Sequence, residues 1–342
     1  MATAMTATVN KAPIGGHQNE DLTTFEEVTQ RYLKERQKRL REEGDAQYID
    51  VSLFDEYRHF QDDPWVAPAA VKDIKTQFPD SRCEMLIIGA GLAGLLYAVR
   101  MIEAGVRPQD IRIIDRAGGF GGTWYWNRHP GLTCDVESYC YLPLLEETGN
   151  GEYQSLQSYP VDMVIFATGY RNPLAGSVAD KAKASITGRN GISMSDEWAE
   201  NGPKTLHGVI DYNFPNMFQS GPLQASNGGV YVSMLDALST HSAYIFQQAK
   251  RKAGGKPFAM APTAEAAENW GTQIEMRAFS FAAAFGCTPS FFNLESGIEH
   301  IPAEKQAVKA RSGVWGAGFE DFSKKLETWR ADDNIRDIDV WI

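Results

Sequence analysis

Cysteine is scarce in this chain of 342 residues, and the four present form no pattern. Cys83, Cys134, Cys140 and Cys287 show no CxxC spacing. That argues against a zinc site and against a disulfide framework, and reduced, buried thiols are expected. The histidines are scattered, with no HxxxH pair and no clustered carboxylates, so no metal site is expected. No G-x-S-x-G turn marks a serine nucleophile. No run approaches the roughly 18 apolar residues of a transmembrane helix, and the N-terminus lacks a signal-peptide core. A cytoplasmic location is the expectation. Basic residues are outnumbered, with Lys+Arg 33 against Asp+Glu 44 and a net charge of −11. Nucleic acid and anionic membrane surfaces are therefore disfavoured as partners.

What is present is ordinary for a soluble globular protein: 43% hydrophobic and 23% charged residues. The length suits one large or two ordinary domains.

The stretch Cys83 to Tyr141 organises the rest. Glu84-Met-Leu-Ile-Ile88 reads as a buried strand. Gly89-Ala-Gly91-Leu-Ala-Gly94 follows, then a helical run to Glu103-Ala104, stopped by Gly105. A second strand, Ile111-Arg-Ile-Ile114, ends in Asp115. This is the order of a dinucleotide-binding βαβ unit. Gly89 permits the tight turn, Gly91 lets backbone N–H groups approach a pyrophosphate, and Gly94 lets helix and strand pack closely. The helix N-terminus offers partial positive charge to phosphates. Asp115, 21 residues beyond Gly94, can accept hydrogen bonds from ribose hydroxyls.

After Asp115 and Arg116 the chain runs Gly118-Gly-Phe-Gly-Gly-Thr-Trp-Tyr-Trp126-Asn-Arg-His-Pro-Gly131, then Cys134-Asp-Val-Glu-Ser-Tyr-Cys-Tyr141. Glycine beside aromatic residues suits a loop that hugs a planar ligand, with Trp124 and Trp126 as flat walls and Asp135 and Glu137 as polar groups. An aromatic core beneath a surface loop is the other reading of the same residues.

Elsewhere the signals are structural. Residues 1 to 20 are patternless and expected to be disordered. Thr23-Thr-Phe-Glu26 reads as a capping box for a helix running to Glu43, with Phe25, Val28, Tyr32 and Leu33 as its apolar stripe. Residues 45 to 80 read as an extended lead-in around Pro64-Trp65 and Pro68. A helix from about Val230 to Lys250 is expected to be capped by Ser226 or Asn227 and to end before Gly254-Gly255. Residues 263 to 285 and 303 to 330 read as amphipathic helices, and Asp332 to Ile342 as a strand or tail. His207 and His241 are candidates for acid–base work, since histidine titrates near neutrality; a structural role is the competing reading for both.

The chain resembles the flavin-dependent Baeyer–Villiger monooxygenases. The residues that carry the resemblance are Gly89 to Gly94, Gly121-Gly-Thr-Trp-Tyr-Trp-Asn-Arg-His-Pro-Gly131 and Cys134-Asp-Val-Glu-Ser138. Val161-Asp-Met-Val-Ile-Phe-Ala-Thr-Gly169, Ile186 to Gly191 with Trp198, Leu206-His-Gly208, Phe214-Pro-Asn216, Cys287-Thr-Pro289 and Trp315-Gly316 support it. The likeness covers nearly everything from about residue 25 onwards. It implies an α/β fold with a single FAD-type Rossmann domain, and helical extensions at both ends. It implies FAD held by Gly89, Gly91 and Gly94, by Asp115 and Arg116, by Gly122, Thr123, Trp124 and Trp126, by Asp135 and Tyr141, and by Gly169. Asp135 and His207 are the catalytic candidates. A bulky secondary metabolite, such as a terpenoid or polyketide, is the implied substrate.

One departure is large. In the family the Cys-Asp-Val-Glu-Ser segment precedes a long insertion that carries an F-x-G-x-x-x-H fingerprint, a second glycine-rich site for NADPH and an active-site arginine. Here residues 150–160 form a short junction, and Val161 already begins the closing strand; no second GxGxxG occurs in the sequence. The expected organisation is a tail (1–20), an N-terminal helical extension (21–80), a Rossmann core (81–149), the junction, and the remainder with a helical cap (161–342). The missing arginine stabilises developing negative charge, a contribution of about 3–4 kcal/mol per donor. Three explanations stay open. The gene model lost a coding block, a separate reductant supplies electrons, or the pocket was reused for non-redox cyclisation, dehydration or isomerisation. A non-catalytic flavin-fold binding protein is the remaining class.

Overall fold

The computed structural model describes residues 24–49, 54–67, 83–132, 134, 141–144, 164–166, 176–182, 184–228, 230–278 and 282–342. The expected disordered tail and the 150–160 junction lie outside these residues.

The first helix, α1, spans Phe25–Gln37. Its capping box sits one position later than the sequence reading placed it. Thr24 Oγ1 accepts from Glu27 N–H at 3.2 Å, and Glu27 Oε2 accepts from Thr24 N–H at 2.7 Å. Adjacent threonines and adjacent glutamates offered both registers. The helix also ends earlier than expected, at Gln37 instead of Glu43, and two 3₁₀ turns, Gly44–Gln47 and Asp55–Gln61, follow. The lead-in is thus partly coiled, not extended.

The βαβ unit forms as expected. β1 is Met85–Ile88, α2 is Leu92–Glu103 and β2 is Ile111–Ile114. β1 and β2 pair in parallel, Met85 opposite Ile111. On α2, Leu96, Tyr97, Ala98 and Met101 are buried; three of them are consecutive, so the buried arc wraps more than half of the helix. Each large apolar side chain so buried is worth about 1.5–3 kcal/mol. Gly105, at φ +92°, stops the helix in the left-handed region. A single helical turn, α3 (Thr123–Trp126), interrupts the glycine-rich loop.

The chain returns to the same sheet through β3 (Val164–Phe166), which lies parallel to β1 on the side opposite β2. Helices α4 (Val178–Ala182) and α5 (Met194–Asn201) come next. β4 (Thr205–Leu206), β5 (Ile210–Asp211) and β6 (Met217–Gln219) complete a sheet ordered β2-β1-β3-β6-β5-β4, parallel over its first four strands and antiparallel beyond. This mixed α/β sheet is Rossmann-like.

The long helix α6 (Tyr231–Lys252) packs on α2. Tyr97 Oη on α2 lies 3.1 Å from Ser242 Oγ and donates to Gln219 O, and Arg100 pairs with Asp236 at 2.8 Å. The N-cap of α6 is Val230, with no side-chain hydrogen bond, so neither Ser226 nor Asn227 caps it. α7 (Ala264–Met276) is capped by Thr263. The run read as one helix over 303 to 330 is two, α8 (Ala303–Arg311) and α9 (Phe319–Ala331). The break holds three glycines, and Gly318 sits at φ +89°. A two-stranded ribbon, β7 (Ala259–Pro262) with β8 (Ile338–Trp341), fixes the C-terminal segment. The main core lies between the sheet, α2, α6 and the C-terminal helices, and Trp270 stacks on Trp315 within it at 4.8 Å.

Cys83 is buried, as expected of a quiet thiol, but Cys134 and Cys287 are exposed. Cys140 lies outside the described residues. Among the described residues, no helix is long and apolar enough to cross a membrane, and no cluster of three His, Cys, Asp or Glu could hold a metal ion.

Candidate functional site

The β1–α2 turn is held from two sides. Gly89, at φ +115°, donates its N–H to Ile114 O at 2.7 Å, tying the turn to the end of β2. Asp115 follows directly. Its Oδ2 accepts from Ala90 N–H at 2.7 Å and its Oδ1 from Ala117 N–H at 2.8 Å. The carboxylate is exposed, and each oxygen keeps a lone pair for a sugar hydroxyl.

Gly94 shows why the third glycine is needed. A Cβ there would stand 2.0 Å from Gly89 O and 3.2 Å from Ile87 Cγ2. Gly91 is the N-cap of α2 and offers no side-chain cap, so the first-turn N–H groups and the helix dipole face outward.

The aromatic loop closes on this turn. Gly121 N–H donates to Ala90 O at 2.9 Å. A Cβ on Gly122, which has φ +55°, would lie 2.8 Å from Gly91 Cα. The two backbones can approach this closely because Gly122 carries no side chain. α3 then carries Thr123, Trp124 and Trp126 away from the contact. Trp124 is 37% exposed and meets Tyr141 edge-on at 6.3 Å, while the Arg116 guanidinium stands 5.8 Å from the Trp126 ring centre. Nine of the residues singled out from the sequence, from Gly89 to Trp126, thus lie on one βαβ turn and the loop docked on it, and Tyr141 meets that loop through Trp124. Asp135 and Gly169 lie outside the described residues.

His207 is elsewhere. It occupies the first central position of the β4–β5 turn at φ +54°, with Gly208 at φ +75° and Val209 N–H donating to Leu206 O at 3.1 Å. These are the features of a type I′ hairpin turn. The ring is buried, 2.9 Å from His241 and edge-on to Trp270 and Trp329. Burial, then the charges of Lys325 and Arg330, lower its pKa to about 3. The structure brings the two histidine candidates together with each other and not with the glycine turn.

Sequence reasoning missed Asp63 and Asp211. Asp63 accepts from Gly118 N–H and from the Tyr125 hydroxyl, both at 2.7 Å. Its signal was the Asp63-Pro64 pair, a turn former, and Trp65 N–H does close an Asx-type turn onto Asp63 Oδ1. Asp211, at the end of β5, accepts from Trp198 Nε1, Lys204 N–H and Asn213 N–H. Burial pushes its carboxyl up to about 7, against the pull of those donors.

These features define a protein with a Rossmann-type nucleotide-binding unit. A family model described as an NAD(P)-binding Rossmann-like domain matches residues 87–150. The chain is 45% identical over 167 residues to a polycyclic ketone monooxygenase of Thermothelomyces thermophilus, covering 48% of this chain and 25% of that protein. It is 44% identical over 147 residues to the FAD-binding monooxygenase prhK of Penicillium brasilianum, covering 42% of this chain and 22% of the relative. It is 50% identical over 129 residues to the FAD-binding monooxygenase ausC of Emericella nidulans, covering 36% and 19%. The solved polycyclic ketone monooxygenase from Thermothelomyces thermophila superposes with a TM-score of 0.80 at 20% identity, over 92% of this chain and 98% of that chain, which shows a shared fold. The chain is therefore a relative of FAD-binding monooxygenases, and the matched segment spans a quarter or less of these curated relatives.

Three features of the site bear on FAD. The Gly91–Gly122 contact leaves backbone, not side chains, beside the open end of α2, as a pyrophosphate requires. Asp115 stands where a ribose would lie. Gln219 Oε1, at the C-terminal end of the parallel strand β6, is buried with no protein hydrogen-bond partner, so a polar atom at that edge of the sheet is left unsatisfied by the protein itself. The residues present fit the group.

Proposed function

We propose that this chain binds FAD between the Gly89–Gly94 turn and the Gly121–Trp126 loop, and works as a Baeyer–Villiger-type monooxygenase on a bulky apolar secondary metabolite. The observation that carries the reading is the backbone contact between Gly91 and Gly122 at the uncapped N-terminus of α2. A pyrophosphate is bound there by main-chain N–H groups. Asp115 holds the adenosine sugar, and Arg116 adds positive charge beside it. Trp124 and Tyr141, in edge-on contact, wall one side of a flat ligand. FAD supplies the redox chemistry when bound. We assign acid–base work to Asp135 and not to His207, because a ring enclosed by His241, Trp270 and Trp329 has no route to a substrate.

The name of one relative, polycyclic ketone monooxygenase, supports a large ketone as substrate. The sequence holds one glycine-rich nucleotide turn, which supports a separate electron donor. The same fact favours a second reading, a non-redox isomerase or cyclase in which the pocket only orders a reactive conformer. An absorbance spectrum of the purified protein, followed by turnover of a polycyclic ketone with and without NADPH and oxygen, separates them. A flavin spectrum with oxygen-dependent lactone formation that needs a reductant, whether NADPH or an added electron donor, supports the first reading. Turnover without either co-reactant overturns it in favour of the second.

A further inference from the structure

A segment outside the matched nucleotide-binding unit is fastened to it. Asp63 Oδ2 accepts two hydrogen bonds, from Gly118 N–H and from the Tyr125 hydroxyl, while Oδ1 accepts from Trp65 N–H. Gly118 has no space for a side chain, since a Cβ there would stand 2.0 Å from Val66 Cγ2. Arg128 completes the contact. Its guanidinium lies 4.9 Å from the Trp65 ring centre and 4.2 Å from that of Tyr125, and its Nε donates to Tyr125 O at 2.8 Å. Tyr125 is the buried residue of α3, and a Cβ on Gly119 or Gly121 would press on it at 2.8 Å or 3.2 Å. Residues 63–66 therefore grip the loop at its start, through Gly118, and at its end, through Tyr125 and Arg128. Between these grips lie Gly121 and Gly122, the residues that touch the β1–α2 turn.

We infer that Asp63 is a positioning residue: it sets where the Gly118–Trp126 loop sits over the glycine turn, and so governs cofactor affinity. The inference rests on the FAD reading above. Asp63 touches no part of the cofactor site directly and acts through Gly118 and Tyr125. Desolvation works against its charge, but the Gly118 and Trp65 N–H groups, the Tyr125 hydroxyl and Arg128 hold the carboxyl below its ordinary pKa. The acid is therefore ionised at neutral pH and accepts as a charged group, the stronger kind of hydrogen bond.

The test compares the wild-type chain with Asp63→Ala, Asp63→Asn and Tyr125→Phe, with Asp55→Ala as an exposed control. Two readouts are taken. The first is hydrogen exchange of the Gly118–Trp126 amides in the apoprotein. The second is FAD affinity and quenching of flavin fluorescence. We expect Asp63→Ala to speed exchange in that loop but not in β1 or α2. It should weaken FAD binding about tenfold or more, the scale of one lost hydrogen bond to a charged group. Asp63→Asn keeps one acceptor oxygen and should fall between wild type and Asp63→Ala; Tyr125→Phe should show a smaller effect in the same direction. Unchanged loop exchange in Asp63→Ala overturns the inference whatever the flavin result. Faster exchange with unchanged FAD affinity overturns it too, because the loop would then move without consequence for the site. A wild-type chain that binds no FAD at all sinks the cofactor reading and with it the affinity claim, while the exchange data still judge the grip.

Discussion

His207 Nδ1 and His241 Nε2 lie 2.9 Å apart, and both rings are inside the core. Arg330 approaches His241 Nδ1 at 3.4 Å, and a guanidinium can only donate. His241 therefore accepts at Nδ1, carries its proton on Nε2 and donates it to His207. Both rings are neutral: burial lowers His241 well below its ordinary value, aided by His207 and Arg330, and takes His207 to about 3.

Acid should therefore unfold this protein through the pair. The unfolded chain binds a proton at each histidine near pH 6.5 and the native state does not, so the stabilising difference is fully present above 6.5 and is lost as pH falls towards 3. For His207 alone the loss at pH 5 is about 2 kcal/mol. Asp211 acts with the opposite sign, because its carboxyl is raised to about 7 and its contribution is lost as pH rises. The comparison that isolates the pair is urea unfolding at pH 7.5 and pH 5 for wild type against His207→Asn with His241→Gln. The double variant leaves Asp211 in place, and asparagine tolerates the left-handed φ at position 207. Its loss of stability on acidification should be smaller than that of wild type.

Two glycines of one turn should fail in different ways. Gly94→Ala puts a methyl 2.0 Å from Gly89 O, so α2 must lift from β1. Overpacking of this kind costs about 1–3 kcal/mol, occasionally more. Gly91→Ala meets nothing closer than Gly122 Cα at 3.4 Å and has φ −79°, which alanine adopts freely. Thermal unfolding should therefore register Gly94→Ala and barely register Gly91→Ala. FAD titration should register Gly91→Ala, whose methyl enters the space beside the phosphates.

The difference between these glycines was readable from the sequence because each step of a βαβ unit demands a residue type at a fixed spacing. Strand, turn, helix and acid were all placed by that logic. The histidine pair was not readable. Residues 207 and 241 are 34 positions apart, and the turn that aims His207 inward is His-Gly, not the Asn-Gly that announces a type I′ hairpin. The grip of Asp63 on Gly118 spans 55 residues and was equally invisible. The capping box slipped by one because Thr23 and Thr24 serve equally well on paper. Register in such a case is settled by which threonine the backbone can turn at.

Trp270 sits at the centre of the main core. It stacks on Trp315, meets His207 edge-on at 4.7 Å, and donates Nε1–H to Gln224 O at 2.9 Å. Gln224 in turn binds Thr205 and the carbonyls of Pro203 and Arg311. Trp270→Ala should cost about 3–5 kcal/mol, the range for removing a large buried ring. Trp270→Phe should recover most of the packing and lose the bond to Gln224 O, leaving a deficit of about 1 kcal/mol or somewhat more. Urea midpoints of the two variants check the order.

Helix α1 should prove nearly separable from the rest. Phe25 is 88% exposed, and Val28, Tyr32 and Leu33, the rest of the expected apolar stripe, are exposed as well. The stripe is amphipathic in sequence, but none of its four residues belongs to a buried apolar cluster, so its pattern could not reveal what holds the helix. Polar anchors do that. Arg36 pairs with Glu299 and donates to Cys287 O at 2.9 Å, and the Tyr32 hydroxyl accepts from Thr288 N–H at 2.6 Å. Leu33→Ala should therefore shift stability by no more than about 0.5 kcal/mol, as for other exposed positions. Arg36→Ala should leave the global melting temperature nearly unchanged and yet speed proteolytic cleavage within residues 25–37, because the contacts it removes fasten this helix alone. A large drop in melting temperature for Leu33→Ala would mean that the stripe is buried in solution.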